Sequence, residues 1–185
     1  MAAWVRPGRR KPFVATLGLV AAVALAGCAD AGATRAVPAG TPIGPPAEGP
    51  ASAVARDAVF AELGQRNLIV AATAAPYRPP EAAPLAAAPR NVYQVTLPAD
   101  PDEGFIVIYE LPSDVEASSA AEAQREYLAS GPGRVQSPPG TDHVIRRLGS
   151  AVIVYDWLPA DAQDDAAPRV AEGLRTIGTG YEVAP

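Results

Sequence analysis

FIVIYEL, Phe105–Leu111, is the stretch on which the fold turns. Three β-branched and two aromatic residues in seven fit a pleated, packed surface far better than a helix, so the run reads as a strand. Before it, PADPDEG (Pro98–Gly104) suits a hairpin loop, and NVYQVTL (Asn91–Leu97) reads as the strand on the other side of that loop. A second pair follows the same plan. HVIRRL (His143–Leu148) and AVIVYDWL (Ala151–Leu158) are separated by Gly149–Ser150, a two-residue hairpin signal. LIVAATA, Leu68–Ala74, reads as one further strand.

Helices are expected between and around these strands. SAVARDAVFAELGQRN (Ser52–Asn67) places Val59 and Leu63 four apart with Phe60 beside them, as an amphipathic helix would. Ser113 and Glu116 form an S-x-x-E capping box ahead of a helix that Gly131–Pro132 should stop. The spacing of Val170, Leu174 and Ile177 predicts a last helix over Ala166–Ile177, with Gly178 just past its end. Between Ala75 and Pro89, APYRPPEAAPLAAAP carries too many prolines for a regular element.

IVIYELPSD (Ile106–Asp114) is echoed by VIVYDWLPAD (Val152–Asp161): three β-branched residues, a Tyr, an acid, then Leu-Pro and an Asp. A helix-plus-hairpin unit used twice would produce this, with the C-terminal helix closing the sheet; chance similarity of two β-rich segments would produce it equally. Either way the expected architecture is α+β, a single antiparallel sheet with helices packed on one face.

The first thirty residues carry a different message. Arg6, Arg9, Arg10 and Lys11 precede Phe13–Gly27, FVATLGLVAAVALAG, which at 15 residues is short for a membrane-spanning helix of about 20. A basic start, a short apolar middle and small residues at the end make a signal peptide over residues 1–27. LAGC (Leu25–Cys28) resembles the lipobox of bacterial lipoproteins. That resemblance implies a diacylglyceryl group on the Cys28 sulfur and cleavage that leaves Cys28 as the first mature residue, anchored on the extracytoplasmic side of the cell membrane. The paired arginines of GRRKPFV suit twin-arginine export, although Phe13 stands one place late; a Sec signal with a basic start accounts for them as well. Residues 28–51, rich in Pro, Gly and Ala, read as a tether; 23 of them in polyproline geometry reach roughly 70 Å. The expected domain is 52–185.

Without its first 27 residues the chain keeps 11 of its 15 basic residues, all arginine, against all 20 acids, a net charge of −9. That balance argues against nucleic acid and against docking on anionic lipid. Cys28 is the single cysteine, so disulfides, thiolate zinc sites and cysteine nucleophiles are excluded from the domain.

Candidate chemistry is sparse. His143, the one histidine, stands beside Asp142 at the start of a strand, where adjacent side chains point to opposite faces, so Asp142 cannot hold its ring. The sequence has no G-x-S-x-G nucleophile elbow. The acids of Asp100, Asp102 and Glu103 and of Asp161, Asp164 and Asp165 lack the alternating spacing of a calcium loop, and Asp164 or Asp165 suits a helix cap. Gly131–Arg134 follows a helix instead of opening one, which removes a phosphate-loop reading. Arg146 and Arg147 read as a solvated strand face. Tyr109 and Tyr155 hold equivalent places in the echo; core packing with the hydroxyl at the sheet margin is the default for such residues, and if they share a face they would line an aromatic groove with Trp157.

These observations lead to the expectation of a lipid-anchored, extracytoplasmic envelope protein, a non-enzymatic binding or interaction module without cofactor or metal. Its partners would be the membrane, through the anchor, and an envelope protein or small ligand, not nucleic acid. The alternatives are a carboxylate-based enzyme such as a glycan hydrolase, and a small-ligand-binding lipoprotein.

Overall fold

The computed structural model describes residues 47–184. In chain order these form α1 (Pro50–Gln65), β1 (Val70–Ala72), α2 (Ala83–Ala87), β2 (Arg90–Val95), β3 (Phe105–Glu110), α3 (Asp114–Ala129), α4 (Gly131–Arg134), β4 (Asp142–Leu148), β5 (Ala151–Trp157), α5 (Ala166–Arg175) and β6 (Thr179–Gly180). The strands make one antiparallel sheet in the order β1-β2-β3-β5-β4-β6. The α+β class and the single sheet are as expected from the strand runs. The expected signal peptide, Cys28 and the expected tether up to residue 46 lie outside the described residues. Among the described residues no helix is long and apolar enough to cross a membrane. Residues before the expected boundary at Ser52 take part in the fold: α1 starts at Pro50, and the Tyr93 hydroxyl donates to Glu48 Oε1 at 2.5 Å.

The helices cover both faces of the sheet, not one. Ile106, Ile108, Ile153 and Tyr155 pack with Val59 and Leu63 of α1 and Val170 and Leu174 of α5. Val107, Tyr109, Val152 and Val154 pack with Leu85 of α2 and Ala117, Ala121 and Leu128 of α3. The physical reason is legible in FIVIY and AVIVY: a strand with one wet face alternates apolar and polar, whereas these runs are apolar throughout and must be buried twice. β3 and β5 accordingly occupy the middle of the sheet, while the outermost strands β1 and β6 are only three and two residues long, which limits exposed edge.

This layering also decides the echo. Ile106 and Val152 correspond in sequence but face opposite sides, as do Tyr109 and Tyr155. The helix before the first hairpin, α1, and the helix before the second, α3, lie on opposite faces too. The sequence likeness therefore does not mark a unit packed twice in the same way. Even the paired acids diverge: Glu110 accepts from Ser52 N at 3.2 Å at the start of α1, whereas Asp156 holds His143.

Local signals held at several ends. Ser113 Oγ accepts from Glu116 N at 3.2 Å and caps α3. The stop after α3 is followed by a single helical turn, α4, which starts from Ser130. α5 ends at Arg175, two residues before the expected Ile177, and Gly178 turns the chain beyond it at φ +53. Arg146 corrects an expectation: it is buried, not solvated, and donates from Nε to Ile177 O at 2.7 Å and from Nη2 to Gly178 O at 2.8 Å. These carbonyls lie in the turn just past the C-cap of α5, and the guanidinium gives them a buried donor.

Candidate functional site

β5 outruns its neighbour. Ile106↔Tyr155 is the last β3–β5 pair at this end, while Asp156 and Trp157 continue against His143 and Asp142 of β4. The side of β5 that β3 leaves open is walled by the loops around Tyr77–Pro80, Asp100–Gly104, Gln136–Thr141 and Leu158–Gln163, enclosing a cleft of about 500 Å³.

Two walls of this cleft are held by specific bonds. Gln124, buried on α3, accepts from Ala82 N at 2.7 Å through Oε1 and donates to Pro80 O at 2.8 Å through Nε2. One side chain thus serves both backbone polarities of a proline-rich segment that has no sheet or long helix of its own. Tyr77 at its start stacks on Phe105 with centroids 4.4 Å apart and planes at 14°. Opposite, Asp100 Oδ2 accepts from Gln163 N and Asp164 N, both at 2.8 Å. Asp164 answers by accepting from Ala99 N at 3.0 Å and Ala166 N at 2.9 Å. These backbone bonds, Ala99 first, hold its carboxyl below the usual aspartate value. The acidic runs therefore brace two loops, and Asp164, not Asp165, supplies the carboxylate just ahead of α5.

At the sheet end the strand alternation presents two different groups. Tyr155 is fully buried, and its hydroxyl has no hydrogen-bond partner among the described residues. Burial pushes that phenol above its ordinary pKa, and Glu103 and Tyr77 add to the effect, so the hydroxyl keeps its proton. Asp156, with a side chain only 8% exposed, meets His143 Nδ1 with Oδ1 at 2.8 Å, while its Oδ2 is buried without a partner. Burial, then Asp156 and Glu103, raises the Tyr77 hydroxyl likewise. Glu103 is itself pushed above the usual glutamate value by burial, with Asp100 and Asp102 reinforcing it.

Of the aromatic residues singled out in the sequence, Tyr155 and Trp157 line this cleft and Tyr109 does not. Tyr109 sits on the opposite face, where its hydroxyl donates to Glu81 Oε1 at 2.6 Å. Glu81 is also held by Arg90 at 3.0 Å and Arg78 at 2.5 Å. Both tyrosines pack in the core, on opposite faces of the sheet, so the two do not share a groove. Asp142 indeed stays away from the His143 ring: it accepts from Trp157 Nε1 at 2.9 Å and from Arg175 at 2.7 Å. What the sequence reading missed is the partner across the hairpin. Counting outward from Gly149–Ser150, His143 and Asp156 are each the sixth residue, so the two-residue loop already set them opposite one another. His143 lines a second cleft of about 660 Å³ with Asp142, Thr141 and Glu182, so the pair stands between the two depressions. Among the described residues no three metal-ligating side chains gather.

Comparison with protein-family models, with curated proteins and with solved structures finds no match to this chain.

Proposed function

We propose that this chain is a lipid-anchored envelope protein, held through Cys28 on the extracytoplasmic side, whose domain is a binding module for a small polar ligand. The anchor rests on the LAGC resemblance and the basic, short apolar leader. The binding role rests on one observation: two residues that line the cleft at the end of β5, Tyr155 and Asp156, each hold a buried oxygen without a partner among the described residues, Oη and Oδ2. An unsatisfied buried polar group costs about 1–3 kcal/mol, so folding alone gives no reason to keep two beside one cavity. A ligand that bonds them does.

The test is recovery. Full-length protein solubilised from membranes is denatured and its small-molecule fraction compared by mass spectrometry with that of Tyr155→Phe and Asp156→Asn variants. A compound retained only by the unaltered protein supports the reading. Identical fractions from all three proteins count against it. Membrane release of a Cys28→Ala version tests the anchor separately.

The same cleft favours a second reading. A glutamate whose pKa partial burial raises above the ordinary value, Glu103, and a second carboxylate, Asp156, are the parts a glycan hydrolase uses. Cleavage of an envelope glycan that Glu103→Gln abolishes would move the assignment there.

A further inference from the structure

The chemistry of the lining narrows the ligand, given the binding role proposed for this cleft. Two of the four buried side-chain polar atoms left without partners among the described residues sit on residues that line it, and one of them is a carboxylate oxygen. A carboxylate oxygen accepts only; what satisfies it must donate. The remaining charges agree. Asp100, Glu103, Asp156 and Asp161 line the cleft, and the single cation that the described residues place in its walls, Arg78, is already paired with Glu81 and donates besides to Ala86 O. An anion entering would meet four acids and no available positive charge.

Aromatic surface completes the picture. Tyr77 and Trp157 stand in the walls, and the Tyr77 hydroxyl feels both Asp156 and Glu103. A cation between carboxylates and π-faces is attracted by both, and its attraction grows as water is excluded.

We propose that the β5 cleft is a receptor site for a small organic ammonium, its N–H groups bonded to Asp156 Oδ2 and its apolar body against Tyr77 and Trp157. His143 is a positioning residue in this scheme: by holding Oδ1 it fixes the carboxylate plane and leaves Oδ2 for the ligand. Tyr155 presents a hydroxyl that can accept from the ammonium or donate to a second polar group of the ligand.

Three probes of one shape and different charge provide the test: benzylamine, benzyl alcohol and benzoate. Each is titrated by calorimetry into the mature protein from Cys28 onward, in which Trp157 is the one tryptophan and its fluorescence reports the site. Benzylamine is expected to bind, to perturb Trp157, and to lose at least about tenfold in affinity in Asp156→Asn, in which the side-chain oxygen can still accept from His143. Thermal unfolding of Asp156→Asn close to that of the unaltered protein shows that the loss is not unfolding. Preference for benzyl alcohol or benzoate, with Trp157 still perturbed, overturns the ammonium assignment and leaves the cleft a binding site. Benzylamine binding untouched by Asp156→Asn overturns the role of Oδ2. Absence of binding by all three probes into the millimolar range overturns the ammonium site and the binding role together.

Discussion

His143 Nδ1 lies 2.8 Å from Asp156 Oδ1, across the β4–β5 hairpin, with 10% and 8% of the two side chains exposed. A carboxylate has no proton to give, so the imidazole donates through Nδ1. Removing one member leaves a buried polar group unpaired, whereas removing both leaves only a void. His143→Ala and Asp156→Ala are each expected to destabilise the fold, and the double variant by less than their sum, with a coupling of about 1–3 kcal/mol. Urea unfolding of the four proteins measures it, and simple additivity would show that the pair contributes nothing as a pair.

Glu103 makes the stability depend on pH in a direction that can be worked out. Folding raises its pKa above the ordinary 4.5, chiefly by burial. Stability from such a group is full below the ordinary value and is lost as pH rises through the folded one. Glu103→Gln is neutral at every pH and escapes that loss. Its melting temperature is expected to exceed that of the unaltered protein near neutrality and to converge with it in acid. A gap that is constant with pH would show that Glu103 is not the titrating group.

Asp164 acts in the opposite sense. Its carboxyl is held below 3.8, first by Ala99 N and then by Ala166 N. The stability it contributes is present above the ordinary value and disappears as pH falls through the folded one. In Asp164→Asn one oxygen becomes an amide nitrogen, so either Ala99 N or Ala166 N loses its acceptor. The melting temperature near neutrality should fall, and the acid limb of the stability curve should flatten. Circular dichroism melts from acid to neutral pH read both effects together.

Gln124 carries a load that its type does not advertise. It is completely buried on a helix face otherwise lined by Ala117, Ala121 and Leu128, and both ends of its amide serve the 80–82 backbone. Gln124→Ala orphans one N–H and one C=O, each worth about 1–3 kcal/mol if it stays buried. The expected result is a large loss of stability together with early hydrogen exchange at Ala82. Slow exchange there in the variant would mean that the loop is fixed by other contacts.

Much of this fold was legible because its strands are emphatic. FIVIYEL and AVIVYDWL could hardly be anything else, and Ser113, Glu116 and Gly178 marked helix ends by chemistry that acts within a few residues. The burial of both sheet faces was also written there, in the absence of alternation, but the likeness of Tyr109 to Tyr155 pointed towards one face. The His143–Asp156 pair followed from the hairpin loop. By contrast, Gln124 against Pro80, Asp164 against Ala99 and Arg146 against Ile177 join residues 31 to 65 positions apart. Only the packed fold brings them together, and the cleft, made by four loops meeting where β3 stops short, belongs to that class.

Gly178 and Gly149 separate backbone strain from collision. Both have positive φ, +53 and +58, a region that costs an ordinary residue about 1–2 kcal/mol. At Gly149 the nearest atom to an added Cβ is Asp114 Oδ1 at 3.9 Å, so Gly149→Ala should show that strain alone. At Gly178 the Cβ would come within 2.0 Å of Arg147 O, a backbone atom of β4. It can be accommodated only if the chain after α5 moves away, which breaks the β6–β4 pairing and takes the Ile177 and Gly178 carbonyls from Arg146. Gly178→Ala is therefore expected to lose several times the stability that Gly149→Ala loses. Urea unfolding of the two variants decides it: equal losses would mean that the turn after α5 shifts freely and that the grip of Arg146 adds little to the fold.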